Sequence, residues 1–275
     1  MKNDDIASWL IRMLKGAFIG TGFILPGISG GALAAVFGLY ERMIKFLADI
    51  RKDFRENLFF FLPVGIGGLM GIFIFSVVLS LFFEMAETQI IWFFIGCIVG
   101  TLPSLWSQAG REGRRKHHVA ILIICFTAAL LFLQFIEAAA GGAMPLNIYT
   151  WAVAGALIAF GAVVPGLSTS TLLIFLGLYA PMTRGIADLD LYVIIPIGIG
   201  GAFTIIAFSR MMAFVLDRAY SALFHGIVGF VLASTILIIP IDYDYFSIGG
   251  LLCLMVLILG ILLALWMCGL EDRYK

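Results

Sequence analysis

The chain has 275 residues, 62% of them hydrophobic and only 12% charged. At a mean hydropathy of +1.10 its apolar surface exceeds what one soluble core could bury, so lipid must solvate much of it. The formal net charge is +0 and no basic arm is present, which excludes the electrostatic footprint of a nucleic-acid binder.

The start, Met1-Lys2-Asn3-Asp4-Asp5, is acidic where a signal peptide would be basic, so no cleavage is expected. The first apolar stretch, 16–40, is interrupted by Pro26-Gly27. Proline removes an amide donor and pushes Leu25 out of the helical region, so each arm alone falls short of a hydrocarbon core of about 30 Å. The stretch therefore reads as a re-entrant helical hairpin. Three uninterrupted stretches follow, 58–83, 90–106 and 119–136, each long enough to cross at about 1.5 Å per residue. A second stretch, 151–179, is interrupted by Pro165-Gly166 and reads as a second hairpin, followed by crossing helices 191–212, 223–239 and 248–268. The cysteines, Cys97, Cys125, Cys253 and Cys268, lie inside apolar stretches without paired ligand spacing, which suggests neither a metal site nor a disulfide framework.

Lys and Arg collect on the cytoplasmic side of short loops. With the amino terminus inside and each hairpin returning to its own side, every Lys and Arg except Arg184 falls inside, and both termini are cytoplasmic. The outer loops carry Glu84, Glu87, Glu137, Asp188, Asp190, Asp242 and Asp244.

The chain also repeats itself. Gly22, Pro26-Gly27-Ile28-Ser29, Gly38-Leu39-Tyr40, Met43 and Lys45 recur 139 residues on as Gly161, Pro165-Gly166-Leu167-Ser168, Gly177-Leu178-Tyr179, Met182 and Arg184. Pro63 to Gly68 and Ser76 recur 133 residues on as Pro196 to Gly201 and Ser209, and a weaker echo pairs Phe94, Gly96 and Ser104 with Phe224, Gly226 and Ser234. Residues 1–140 and 141–275 are thus two related halves, each a hairpin plus three crossing helices. Three is odd, so the second half must lie upside down. Inverted repeats of this kind build alternating-access transporters with the site near the bilayer midplane, formed by discontinuous helices. The glycines beside Pro63 and Pro196 read most simply as close helix packing.

The hairpin tips can bind an anion. Gly27 and Gly166 tolerate positive φ, and Ser29 and Ser168 can cap the helices that restart. The amides around Ser29, Gly30 and Gly31 then lack intrahelical partners and carry the positive end of the helix dipole. The second tip adds the hydroxyls of Ser168, Thr169, Ser170 and Thr171. Lys45 and Arg184 end the two hairpins at opposite surfaces as matching gates. Glu41 and Arg42 read as a headgroup-level pair. His225, on an apolar helix, suits either proton relay or a helix-packing hydrogen bond; His117 and His118 read as solvated loop residues. No nucleophile with a base and no carboxylate cluster is evident, so no catalytic residue or cofactor is expected.

On PGISGG and FGLYERM in the first half, and PGLSTST and LGLY in the second, the chain resembles the DUF368 family, regarded as polyprenyl-phosphate transporters of bacterial and archaeal cytoplasmic membranes. The resemblance implies movement of undecaprenyl phosphate, the lipid carrier of envelope polymer synthesis, from the outer to the inner leaflet for reuse. An inside-negative potential opposes that movement, so coupling to H+ or Na+ is expected. Two other readings stay open: a small-anion carrier using the same tips, and a membrane lipid-phosphate enzyme.

Overall fold

A computed structural model describes residues 6–25, 33–34, 37–39, 42–43, 46, 51, 53–140, 144–163 and 170–274. All regular elements among them are helices: α1 (Ile6–Ile24), α2 (Phe54–Ala109), α3 (Lys116–Ala140), α4 (Ile148–Val163), α5 (Ser170–Phe175), α6 (Tyr179–Ala187), α7 (Leu191–Leu237) and α8 (Ile248–Tyr274).

Several boundaries differ from the sequence reading for physical reasons. Helix α1 begins at Ile6, ten residues before the apolar run. Arg12 and Lys15 interrupt the hydropathy, but Ile6, Leu10, Leu14 and Phe18 continue a four-residue stripe that is exposed on the helix surface, as a lipid-facing helix requires. The stretches 58–83 and 90–106 are one element, α2, whose 56 residues break helical geometry only at Ala86 (φ −156°, ψ 53°). Straight, it would measure about 84 Å, far more than a bilayer core. Phe83 and Phe94 would lie about 16 Å apart along a straight helix, yet their ring centroids are 6.1 Å apart. The chain therefore doubles back at Ala86. Likewise α7 joins 191–212 to 223–239 through a single non-helical residue, Ala219 (φ −143°, ψ 36°).

Among the described residues, five helical segments are long and apolar enough to cross a membrane: α2, the Lys116–Ile136 part of α3, Leu191–Phe208 and Arg218–Leu237 of α7, and Ile248–Gly269 of α8. Their outer surfaces carry large apolar side chains, among them Ile123, Leu131 and Phe135 on α3 and Leu251, Leu259 and Trp266 on α8. In water such a surface would drive aggregation; in a bilayer it is the lipid contact.

Backbone features recur between the halves. Gly38 and Gly177 both take positive φ, 69° and 68°, where a side chain would be strained. Each ends a helical segment with the same bond: the Leu39 amide donates to the Ala34 carbonyl at 2.8 Å, and the Leu178 amide to the Leu173 carbonyl at 2.8 Å. This closure satisfies carbonyls that a helix end leaves bare. The breaks at Ala86 and Ala219 are 133 residues apart. A Cβ on Gly67 would strike the Met13 carbonyl of α1, and one on Gly200 the Ala152 carbonyl of α4, so these glycines set how closely the paired helices approach. Farther on, Gly96 packs on the Leu257 backbone of α8, and the glycine that meets α3 in the same way is Gly229, against Leu122. Gly226, which the sequence echo pairs with Gly96, instead faces the Cys125 side chain.

Two apolar clusters hold the interior. One joins Ile95, Ile98 and Leu105 of α2 to Phe224, Ile227 and Val231 of α7. The other gathers Ile24, Phe94, Trp151, Leu173, Leu178 and Tyr179, so the end of α1 and the helices after the second Pro-Gly share one core.

Candidate functional site: the end of α1 and a cleft beside α6

Helix α1 stops at Ile24, just before Pro26, and its last carbonyls have no intrahelical donor. The Ile24 carbonyl accepts a hydrogen bond from the Tyr179 hydroxyl at 2.7 Å, with the Ser170 hydroxyl at 3.5 Å. Ser170 begins α5 and Tyr179 begins α6, 146 and 155 residues away in sequence. The end of α1 is thus tied to the two short helices that follow the second Pro-Gly in sequence. Tyr179 is buried against Phe83 at 5.7 Å and Phe94 at 5.5 Å between ring centroids, which fixes the phenol where it can reach across.

Thr171 follows directly. Its side chain is buried and its hydroxyl has no partner; Ser76 of α2 is in the same condition. A buried hydroxyl without a partner costs about 1–3 kcal/mol, which a fold repays only if something binds there or the group is needed elsewhere.

A cleft of about 490 Å³ opens beside α6, lined by Ser80, Phe83, Glu84, Glu87, Trp151 and Arg184, among others. One lining residue, Phe83, has its ring against that of Tyr179, so contacts run from the cleft through Phe83 and Tyr179 to the Ile24 carbonyl. In the same lining, Arg184 pairs with Glu84. Their side chains are 61% and 51% exposed, so solvent screens the pair and either charge can be drawn to another partner.

Of the other sequence-predicted residues, Pro26, Gly27, Ser29, Gly30, Gly31, Glu41, Lys45, Pro165, Gly166, Ser168 and Thr169 lie outside the described residues. Arg42 is engaged with α2: it donates to the Asn57 side chain at 2.9 Å, pairs with Glu56 at 2.9 Å, and lies 3.7 Å from the Phe60 ring centroid. That ties Arg42 to the start of α2.

His118 is not a solvated loop residue: at the start of α3 it is only 9% exposed. It packs 5.2 Å, ring to ring, from His225 of α7, which is fully buried. His225 Nδ1 lies 2.6 Å from the Ser221 carbonyl. A carbonyl only accepts, so Nδ1 carries the hydrogen and Nε2 is left with a bare lone pair. Nε2 has no hydrogen-bond partner. The Ser221 hydroxyl donates to the Ala109 carbonyl at 2.5 Å and lies 3.3 Å from His118 Nδ1. Sequence reasoning missed this grouping because 107 positions separate the two histidines.

Long apolar helices with an apolar outer surface define a multi-pass membrane protein. A family model described as undecaprenyl phosphate translocase-like (VCA0040-like) matches residues 19–248. The chain belongs to that family, a family of membrane transporters rather than enzymes. It is 23% identical over 228 residues to the polyprenyl-phosphate transporter of Vibrio cholerae serotype O1, covering 77% of this chain and 71% of that one. To the polyprenyl-phosphate transporter of Staphylococcus aureus it is 25% identical over 243 residues, covering 84% and 86%. No solved structure gives a significant match.

Proposed function

We propose that this protein carries a polyprenyl phosphate, undecaprenyl phosphate in particular, from the outer to the inner leaflet of the cytoplasmic membrane. The observation that carries the reading is the hydrogen bond between Tyr179 and the Ile24 carbonyl, because it ties the end of α1, next to the first Pro-Gly in sequence, to the start of α6, past the second. Backbone amides freed at such breaks hold a phosphate without a buried cation, which matters where a bare charge costs roughly 3 kcal/mol or more. Ser29, Gly30, Gly31, Ser168, Thr169, Ser170 and Thr171 form the headgroup site, and the isoprenoid tail stays in lipid. The relatives' names, polyprenyl-phosphate transporter, support this substrate.

Residues 1–140 and 141–275 act as inverted repeats, each a broken hairpin and three crossing segments, with both termini cytoplasmic. The recurring glycine turns and helix breaks support this arrangement. Arg184, beside the outer cleft, receives the headgroup by exchanging Glu84 for phosphate, and Lys45 serves the opposite surface. Moving an anion inward works against about 2.3 kcal/mol per charge per 100 mV, so the cycle takes up H+ or Na+ with the lipid.

The test is leaflet accessibility of labelled polyprenyl phosphate in liposomes holding the purified protein. Saturable, protein-dependent translocation is expected. No acceleration under imposed proton and sodium gradients, together with competition by soluble phosphate for binding, would replace this reading with a small-anion carrier.

A further inference from the structure

We propose that His225, with His118 and Ser221, is the site at which one proton binds during the transport cycle; this deepens the transport reading above and names its coupling ion. Three observations converge. His225 is fully buried, its Nδ1–H is committed to the Ser221 carbonyl, and Nε2 is an unpartnered acceptor. A buried acceptor that nothing satisfies is a place where a proton can arrive without displacing anything. Uptake at Nε2 converts the ring to imidazolium, leaves the Nδ1–H bond unchanged, and returns the proton to water on release.

The second observation is a route. His117 is exposed, its ring centroid is 4.1 Å from that of His118, and His118 is 5.2 Å from His225. His118 Nδ1 has the Arg115 amide at 3.4 Å and the Ser221 hydroxyl at 3.3 Å. Titratable rings thus lead from the basic loop Arg111–Lys116 to the buried nitrogen.

The third is charge balance. The groups around the pair are Trp106 of α2, at 5.6 Å from His225, with Arg114 4.2 Å from the Trp106 ring, Arg111 over Tyr220, Arg115 and His117 beside His118, and Cys125 of α3 facing Gly226. Arg218 precedes Ser221 on α7. Helices α4 and α5 contribute Phe160, Ile174 and Phe175 to the same cluster. The loop carries one carboxylate, Glu112, exposed between Arg111 and Gly113; among the described residues neither histidine is ion-paired with it or with another carboxylate, so a buried imidazolium here has no paired counter-ion. A phosphate headgroup is the missing negative charge. Phe224 and Ile227, on the same limb as His225, pack in one core with residues on both arms of the second break, and Ser221 lies two residues past the Ala219 break. Proton and lipid phosphate therefore favour each other's binding, a linkage that runs equally in both directions.

The experiment is ¹⁵N-imidazole NMR of the full chain in lipid nanodiscs, with only three histidines to assign by H117Q, H118Q and H225Q. Acidification is expected to change the His225 ¹⁵N signals from those of the Nδ1–H neutral ring to those of an imidazolium, and added undecaprenyl phosphate to change the proton concentration at which this happens about tenfold. In liposomes, wild-type translocation should accelerate with an inward proton gradient, while H225Q still translocates down a lipid gradient but ignores pH. A ring that never protonates while the protein stays folded, or protonates without responding to the lipid, overturns the proposal using wild-type protein alone. Lipid translocation by wild type and H225Q with identical pH profiles overturns it while leaving the transport reading intact. A titrating His225 in a protein that moves no polyprenyl phosphate would instead remove the transport reading and keep the proton site.

Discussion

The phenol of Tyr179 donates to the carbonyl of Ile24 at 2.7 Å, across 155 positions of sequence and from the start of α6 to the end of α1. It is a buried side-chain donor on a buried helix end, so both partners lose water when the bond forms. Tyr179→Phe removes the donor and keeps the ring between Phe83 and Phe94. The expected loss is about 1–3 kcal/mol, since the Ile24 carbonyl is left with only the distant Ser170 hydroxyl. Unfolding of the purified variant in detergent measures it; unchanged stability would mean water replaces the phenol.

Thr171→Val should act in the opposite sense. The buried hydroxyl has no partner, so an isosteric methyl removes an unsatisfied group and is expected to stabilise the protein by roughly 1 kcal/mol. If the hydroxyl serves the headgroup, translocation falls at least tenfold in the same variant. A stable variant with wild-type transport would take Thr171 out of the site.

Arg184→Ala should change stability by no more than about 1 kcal/mol, because its pair with Glu84 is more than half exposed on both sides. Transport is nevertheless expected to fall. The double exchange of Arg184→Glu with Glu84→Arg rebuilds an ion pair at the cleft but moves the cation to α2. Full recovery of transport by the exchange would show that only the pair matters, not the position of the positive charge.

Gly67→Leu and Gly200→Leu should each disrupt folding, since the first side-chain carbon already meets a neighbouring helix carbonyl. Gly65→Ala and Gly198→Ala should be tolerated, because nothing lies within 4 Å of the added carbon. Expression and monodispersity of the four variants in detergent check the contrast.

Much of the architecture was legible because membrane physics writes length into sequence: an apolar run must be long enough to cross, and the end of α1 at Ile24 falls just before Pro26. Close packing was legible at Gly67 and Gly200, whereas Gly65 and Gly198, in the same motifs, face open space. What was not legible depends on tertiary context. Polar residues such as Glu84 and Glu87 suggested a loop between two helices, whereas one residue, Ala86, turns the chain. Arg12 and Lys15 hid the start of α1 because hydropathy averages over the faces of a helix. The burial of His118 and the reach of Tyr179 to Ile24 are long-range, and a single sequence carries no sign of which distant groups will meet.

The turn at Ala86 also bears on how the protein is made. With no loop between them, the two limbs of α2 give the insertion machinery no polar segment long enough to rest outside while one limb waits alone in the bilayer. They must enter together, as a preformed pair. An arrest of synthesis just after residue 83 is then expected to leave the first limb uncommitted to the membrane, and one after residue 109 to leave both fully inserted.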